Sequence, residues 1–587
     1  MFGGLAMFFY GMELMGDGLK LSSGETLKRI LGGLTKNAFT GMLTGLAVTA
    51  IIQSSSATIV LTVGLMAAGI LNLRQAVSIV MGANIGTTVT AQIIRLMDID
   101  SSGNALLELL KPSSLAPIAL IAGVILITFI KKRGTRGVGE IFMGFGVLFS
   151  GLITMTSAVS PLSSSPAFIE LLARFSQMPL LGILSGTVLT VIIQSSSAVI
   201  GMLQALSSTG AMTFSLVYPI IMGSNIGTCI VTAFLCSVGT SRDAKRVAAA
   251  HIIFNVIGTI LFMLGMTVLH RLGAFGVLWN KVVNSGDIAN FQTLFNLITA
   301  AILLPFTNQI VKLSTAILPR NTAESRRDEE AGLLDAKLLI SPGLAMDEAG
   351  RAIARMGGLA AENLSVCVSQ LLTYDPQLCP DIADREERLD GFADKADNFL
   401  IALAKRLDTH ENEAQMNLLM QAVPDFERIG DYATNIDELA QRLAGNKLTF
   451  SDKAKREMTV ISDAVVEIVR LTVDAFQRSD NAAAARVEPL EEVIDEMVLI
   501  LRDNHTERLR QGKCTVNAGL VFLEVLTYLE RAADQCSSIA LLMLAREDER
   551  IRVNHHAYLR ELHASGGKAY NTELEERRAQ YLPHLKG

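Results

Sequence analysis

Residues 51–60 read IIQSSSATIV, and residues 192–201 read IIQSSSAVIG. A second pair follows, MGANIGTTV at 81–89 and MGSNIGTCI at 222–230. Gln53 and Gln194 lie 141 positions apart, and so do Asn84 and Asn225. The same offset aligns Gly41 with Gly182, Gly45 with Gly186, Thr49 with Thr190 and Gly69 with Gly210. Two motifs sharing one offset establish an internal duplication, with copies at residues 1–115 and 141–260, roughly. In both copies QSSS interrupts an apolar segment, 38–72 and 179–210, at its middle. Matching interruptions in two halves of a chain mark broken or re-entrant helices that line a site at membrane depth.

Composition agrees with a membrane setting for this part. Of 587 residues, half are apolar and only 18% are charged, with mean hydropathy +0.39, against about 25% charged in soluble domains. The first 318 residues hold 18 Lys/Arg and 10 Asp/Glu, which leaves 33 and 47 for the remainder. An apolar, mildly basic half is followed by a charged, acidic one, which predicts a membrane domain and then a soluble domain. Apolar stretches at 114–130, 137–157, 247–270 and 289–312 are long enough to cross ~30 Å of hydrocarbon. The N-terminal MFGGLAMFFYGMELMG lacks a basic leader region and reads as a first membrane helix.

Charge sets the expected orientation. Lys131, Lys132, Arg133 and Arg136, and likewise Arg242, Lys245 and Arg246, belong on the cytoplasmic side. Followed through the chain, this places the first QSSS hairpin entering from inside and the second from outside. The two repeats are therefore expected to be inverted, and the chain beyond Lys312 to be cytoplasmic.

NTAESRRDEEAG (321–332) is a charged linker within 319–344, and 345–548 is helix-rich with few Pro or Gly. DFERIGDYATNI (425–436) and YLERAADQCSSIA (528–540) share ER-x-x-D, with Glu427 and Glu530 103 residues apart. Two three-helix units are predicted, at 346–373, 384–407 and 411–443, then 452–479, 483–509 and 516–546. Pro489 is expected to kink the fifth helix or shorten its start. The tail, 549–587, reads as partly helical or loose. Six cysteines (229, 236, 367, 379, 514 and 536) show no CxxC spacing, so a zinc site or disulfide framework is not expected. No basic run with interleaved aromatics points to nucleic acid, and no nucleophile–His–Asp set points to an enzyme.

Hydroxyls and amides at membrane depth must find partners. A lone Ser-rich patch would merely back-bond to its helix. This one occurs twice, led each time by Gln, which favours a ligand site. A turn at QSSS also frees helix-terminal N–H groups for an anion and carbonyls for a cation. Asn84-Ile85-Gly86-Thr87 and Asn225-Ile226-Gly227-Thr228 add amide and hydroxyl oxygens. Neither motif pair contains Lys, Arg, Asp, Glu or His. Bringing a bare dianion to the midplane is prohibitive, so an anion carried together with an alkali cation is the economical reading. Glu13, Asp17, Glu140 and His251 are expected near helix ends as solvated interface residues rather than as a proton relay.

The paired QSSS and G-x-N-I-G-T motifs closely resemble the type II sodium–phosphate cotransporters. The 345–548 segment resembles the phosphate-uptake regulator PhoU, which often follows the membrane domain in the bacterial branch. The resemblance implies an all-α, polytopic inner-membrane protein of two inverted repeats, 1–318, and a cytoplasmic PhoU-like pair of three-helix bundles. It implies sodium-coupled phosphate transport by alternating access. Gln53, Ser54, Ser55, Gln194, Ser195 and Ser196 would hold phosphate. Ser56, Ser197, Asn84, Thr87, Asn225, Thr228, Thr49 and Thr190 would share the sodium sites and the pocket floor. An exporter and a membrane phosphate sensor are the alternatives. PhoU-like proteins bind metal through E-x-x-x-D pairs, here Glu427 with Asp431 and Glu530 with Asp534, a divalent or ferric ion being implied. Asp384, Glu387, Glu488 and Glu492 are candidate partners. A homodimer is expected by the same analogy.

Overall fold

The structure is a computed structural model. It describes residues 1–22, 37–67, 70–98, 111–130, 135–161, 165, 170, 172, 174, 176–237, 242–273, 276–319, 334–407 and 410–585. Regular structure among these residues is helical, apart from one isolated bridge between Thr213 and Val282. The chain divides into two units, Met1–Gly343 and Leu344–Gly587.

In the first unit α1 (Phe2–Ser22) precedes the broken pair α2 (Ala38–Ile52) and α3 (Ser55–Ala67). Then follow α4 (Leu73–Gly86), α5 (Thr88–Ile94) and α6 (Pro112–Thr128). The second copy runs through α7 (Thr135–Val159), the broken pair α8 (Pro179–Ile193) and α9 (Ser196–Ser207), α10 (Phe214–Leu235) and α11 (Arg242–Arg271). α12 (Ser285–Leu303) and α13 (Thr307–Ile317) complete it. Among the described residues five spans are long and apolar enough to cross a bilayer: Leu73–Ile94, Thr135–Val159, Phe214–Leu235, Arg242–Arg271 and Ser285–Ile317. Leu180, Ile192, Phe234 and Leu264 are all more than half exposed on the outside of this unit. Large apolar side chains exposed on several helices fit a membrane setting.

The duplication is visible in the backbone packing. A Cβ built on Gly45 would stand 2.0 Å from the carbonyl oxygen of Ile79, and one on Gly186 2.1 Å from that of Ile220. Gly82 meets the Met42 oxygen at 1.8 Å, and Gly223 meets the Ile183 oxygen at 2.0 Å. Every one of these pairs is related by the same 141-residue offset. Only glycine permits such an approach of α2 to α4 and of α8 to α10, the small-residue packing that membrane helices use in place of a hydrophobic drive.

The second unit contains α14 (Pro342–Gln370), α15 (Cys379–Ala404), α16 (His410–Gly445), α17 (Asp452–Arg478), α18 (Val487–Arg510) and α19 (Val516–Leu544). Pro489 sits in the first turn of α18, where its missing N–H has no intrahelical partner to lose. A separate short helix, Asn481–Ala484, precedes it, so the start is shortened and not kinked. The tail is not loose. It forms α20 (His555–Ser565) and α21 (Lys568–Tyr581), held by Arg577 to Glu467, Arg578 to Glu496 and the Tyr581 hydroxyl to Glu467.

Candidate substrate and metal sites

Each QSSS segment forms one tip. α2 ends with Gln53 at φ 59°, ψ 21°, and α8 ends with Gln194 at φ 61°, ψ 16°. A left-handed residue with a Cβ costs about 1–3 kcal/mol and persists where the surrounding structure fixes it, commonly at functional sites. The next serine then caps the following helix: Ser54 Oγ accepts from the Ala57 amide at 3.2 Å, and Ser195 Oγ from the Ala198 amide at 3.3 Å. A left-handed glutamine followed by an N-cap serine ends one helix and starts the next, whose first-turn N–H groups can attract an anion.

Within the tips Gln53, Ser55, Ser196 and Ser197 are buried, Ser54, Ser56 and Ser195 half-buried, and Gln194 exposed. Thr49, Thr190, Asn84, Thr87, Asn225 and Thr228 are all buried. Among the described residues the hydrogen bonds of each tip stay within its own repeat. Thr90 Oγ1 donates to Gln53 Oε1 at 2.8 Å, and Thr49 Oγ1 to Thr58 Oγ1 at 2.9 Å. The paired asparagines engage the later helices. Asn84 Oδ1 lies 3.4 Å from Nε2 of His251 on α11, and Asn225 Nδ2 donates to Asn296 Oδ1 on α12 at 2.8 Å. Asn296 in turn donates to the Gln292 carbonyl, which fixes both amides and orients the Asn225 oxygen.

Among the described residues of the second unit two groups of carboxylates converge. Glu386, Asp390 and Asp431 bring one oxygen each within 4.8 Å of one another, and so do Glu491, Asp495 and Asp534. Residues four apart on α15 and on α18 supply two of each three, since that spacing keeps them on one face. Burial, reinforced by Asp431 and Asp390 against the bond from Thr434, pushes Glu386 up to about 7. Burial and the surrounding carboxylates push Glu491 up to about 9 and Asp495 to about 6. Burial likewise raises Asp390 and Asp534, and a multivalent cation would relieve such crowding of hard-oxygen ligands.

Asp431 and Asp534 thus lie where the sequence pattern pointed, but Glu427 and Glu530 lie outside the two groups. Glu530 is paired with Arg502 at 2.7 Å. Asp384 faces Arg388, while Glu488 and Glu492 face His563. Glu488, although buried, is taken up by His563 and by the Ser537 hydroxyl, which leaves Glu491 and Asp495 to meet Asp534.

The family profile described as Na+/Pi-cotransporter matches residues 7–157 and 154–280, and that described as PhoU domain matches 353–440 and 458–543. "Uncharacterized protein YqeW" of Bacillus subtilis (strain 168) is 30% identical over 321 residues, covering 54% of this chain and 97% of its own. The chain belongs to the Na+/Pi-cotransporter family. "Putative inorganic phosphate export protein YjbB" of Escherichia coli (strain K12) is 21% identical over 93% of this chain and 97% of its own. "Sodium-dependent phosphate transport protein 2A" of Rattus norvegicus is 32% identical over 99 residues, 16% of each chain. This cotransporter-family chain is thus a membrane protein of a phosphate-transport family with a PhoU domain at its C-terminal side.

Four polar residues of the cotransporter unit escaped the sequence reading. Thr90 and Thr58 hold the first tip, while Asn296 and Gln292 back the Asn225 side. Gln292, Asn296 and Thr299 recur at helical spacing in an apolar stretch, which was the available signal. His251 is a correction: it is wholly buried, not a solvated interface residue. α11 begins at Arg242, nine residues earlier, so His251 stands about 13 Å inside the helix. Glu140 is also buried, paired with Arg136 at 3.1 Å.

Proposed function

We propose that this chain carries inorganic phosphate across the cytoplasmic membrane with sodium, by alternating access around two tips of opposite orientation. The observation that carries the reading is the pair of left-handed glutamines, Gln53 and Gln194, each followed by a capping serine and an open helix N-terminus. Two such termini offer neutral N–H donors to an oxyanion. Amide and hydroxyl oxygens of Asn84, Asn225, Thr49, Thr190, Ser56, Ser197, Thr87 and Thr228 offer sodium ligands. Gln53, Ser54, Ser55, Gln194, Ser195 and Ser196 surround phosphate. A site without fixed cationic side chains binds a divalent anion only if cations enter with it.

The second unit is cytoplasmic in this reading and regulates flux. Glu386, Asp390 and Asp431, and Glu491, Asp495 and Asp534, would hold a divalent or ferric ion there, and two copies of the chain would associate as a homodimer.

A second reading, net export, is supported by the printed name of YjbB, whose match spans nearly the whole chain. The carrier is the same, and the gradients decide its direction. Labelled phosphate uptake into proteoliposomes tests both, with a sodium gradient against potassium and with Gln194→Ala beside the parent. Sodium-dependent uptake lost in the variant is expected. Binding without accumulation would overturn transport and favour a sensor.

A further inference from the structure

The two tips share one backbone but not one set of side-chain partners. Gln53 is buried, and both ends of its amide are spent: Oε1 accepts from Thr90 at 2.8 Å, and Nε2 donates to the Ala50 carbonyl at 2.5 Å. Gln194, at the same φ and ψ, is exposed and has no side-chain hydrogen bond among the described residues. The 141-residue offset explains the difference, because it carries Thr90 to Val231 and Thr58 to Val199. Thr49 and Thr190 sit alike: Cβ atoms built on Gly86 and Gly227 would each stand 2.6 Å from the Cβ of their threonine. Yet Thr49 donates to Thr58, while Thr190 Oγ1, wholly buried, has no partner among the described residues. Two hydroxyl bonds tie down the first tip, and valine replaces both outer partners in the second.

We propose that Thr90 is a positioning residue that clamps Gln53 and makes the first tip a fixed wall, whereas Gln194 is the free amide that donates to the substrate oxyanion. This rests on the transport reading above. A glutamine amide has two N–H donors. Gln53 has one of them committed to its own helix and its oxygen committed to Thr90. Gln194 can turn both donors toward a tetrahedral oxyanion and release it as the site opens. The two QSSS motifs, identical in sequence, thus divide the work between holding shape and grasping the ligand.

The test uses the full chain with Thr90→Val, Thr90→Ser and Val231→Thr. Valine is already accommodated at the repeat-related position, so Thr90→Val suits this backbone. One lost buried hydrogen bond corresponds to a roughly fivefold to tenfold change. Thr90→Val is expected to raise the phosphate KM by that factor with kcat little changed, and Thr90→Ser to restore it. Val231→Thr should install a clamp on Gln194 and raise KM by a similar factor. Hydrogen exchange at the tips is read in parallel and does not depend on transport. The parent's 50–57 segment should exchange more slowly than 191–198, Thr90→Val should erase that difference, and Val231→Thr should slow the second tip. Unchanged exchange and KM in Thr90→Val, or a second tip indifferent to Val231→Thr, would overturn the clamp. If the parent moves no phosphate, the transport reading fails, and the exchange rates alone decide the clamp.

Discussion

Gly82→Ala tests the helix seam that positions both tips. The new methyl carbon would start 1.8 Å from the Met42 carbonyl oxygen, and atoms of this kind do not approach closer than 3.0 Å. The backbones of α2 and α4 must therefore part by at least 1.2 Å. A gap of 0.5–1 Å already forfeits about a quarter to a half of each dispersion contact across it. Overpacking of this sort costs about 1–3 kcal/mol, against which alanine returns about 1 kcal/mol of helix propensity. Because the obstacle is backbone and cannot rotate away, the net loss should sit near the upper end, about 2 kcal/mol. Gly223→Ala, with 2.0 Å to the Ile183 oxygen, should cost nearly the same, while Gly265→Ala, with nothing within 4 Å, should be neutral or stabilising. Thermal unfolding of the detergent-solubilised chain measures all three. Equal melting temperatures for Gly82→Ala and Gly265→Ala would refute the close seam. A large loss in only one of Gly82→Ala and Gly223→Ala would refute the claim that the two repeats pack alike.

Two further outcomes concern the second unit. Glu457→Gln should strand the buried guanidinium of Arg508, which Glu457 neutralises. Removing one partner of a buried pair costs about 3–5 kcal/mol, so hydrogen exchange across Asp452–Arg478 and Val487–Arg510 should accelerate sharply. Metal affinity should depend on pH with a definite sign. Because Asp495, Glu386 and Glu491 are pushed up to about 6, 7 and 9, the metal-free fold holds protons that the unfolded chain has lost. Its stability is full below the ordinary carboxylate range and falls as pH rises through those values. Manganese titrated into the full chain must displace these protons, so binding should tighten from pH 6 to pH 8 by up to about tenfold per pH unit for each proton released. Binding equally tight at both values, or unaltered in Glu386→Gln with Glu491→Gln, would remove the metal site.

The parts legible from sequence were those set by backbone and periodicity. Gln53 and Gln194 were recognisable because a duplicated motif reports a duplicated conformation, and the six long helices of the second unit followed from apolar period and loop composition. What was not legible depends on tertiary phase. The two carboxylates that join Asp431 or Asp534 come from another helix, and which ones do so depends on its phase: Glu386 stands one residue from Glu387 and Glu491 one from Glu492, a step that turns a side chain by about 100°. His251 was misread because the cationic turn before it was taken for a boundary, whereas α11 runs through it from Arg242. The tail was underrated because its anchors, Arg577 and Arg578, find their carboxylates about a hundred residues away.

The contrast between the two repeats follows from what each constraint acts on. Gly45, Gly82, Gly186 and Gly223 answer to backbone contact, and any Cβ there fails in either copy. The hydroxyls answer only to one another, so Thr58 can become Val199 and Thr90 can become Val231 without moving a helix. A duplicated frame thus keeps its geometry while its polar lining diverges. For a carrier that must both shape a site and let go of its cargo, unequal tips are the useful product of that freedom. A chain with threonine at both 90 and 231 would hold both glutamines, and its phosphate flux is expected to fall while its fold stays intact.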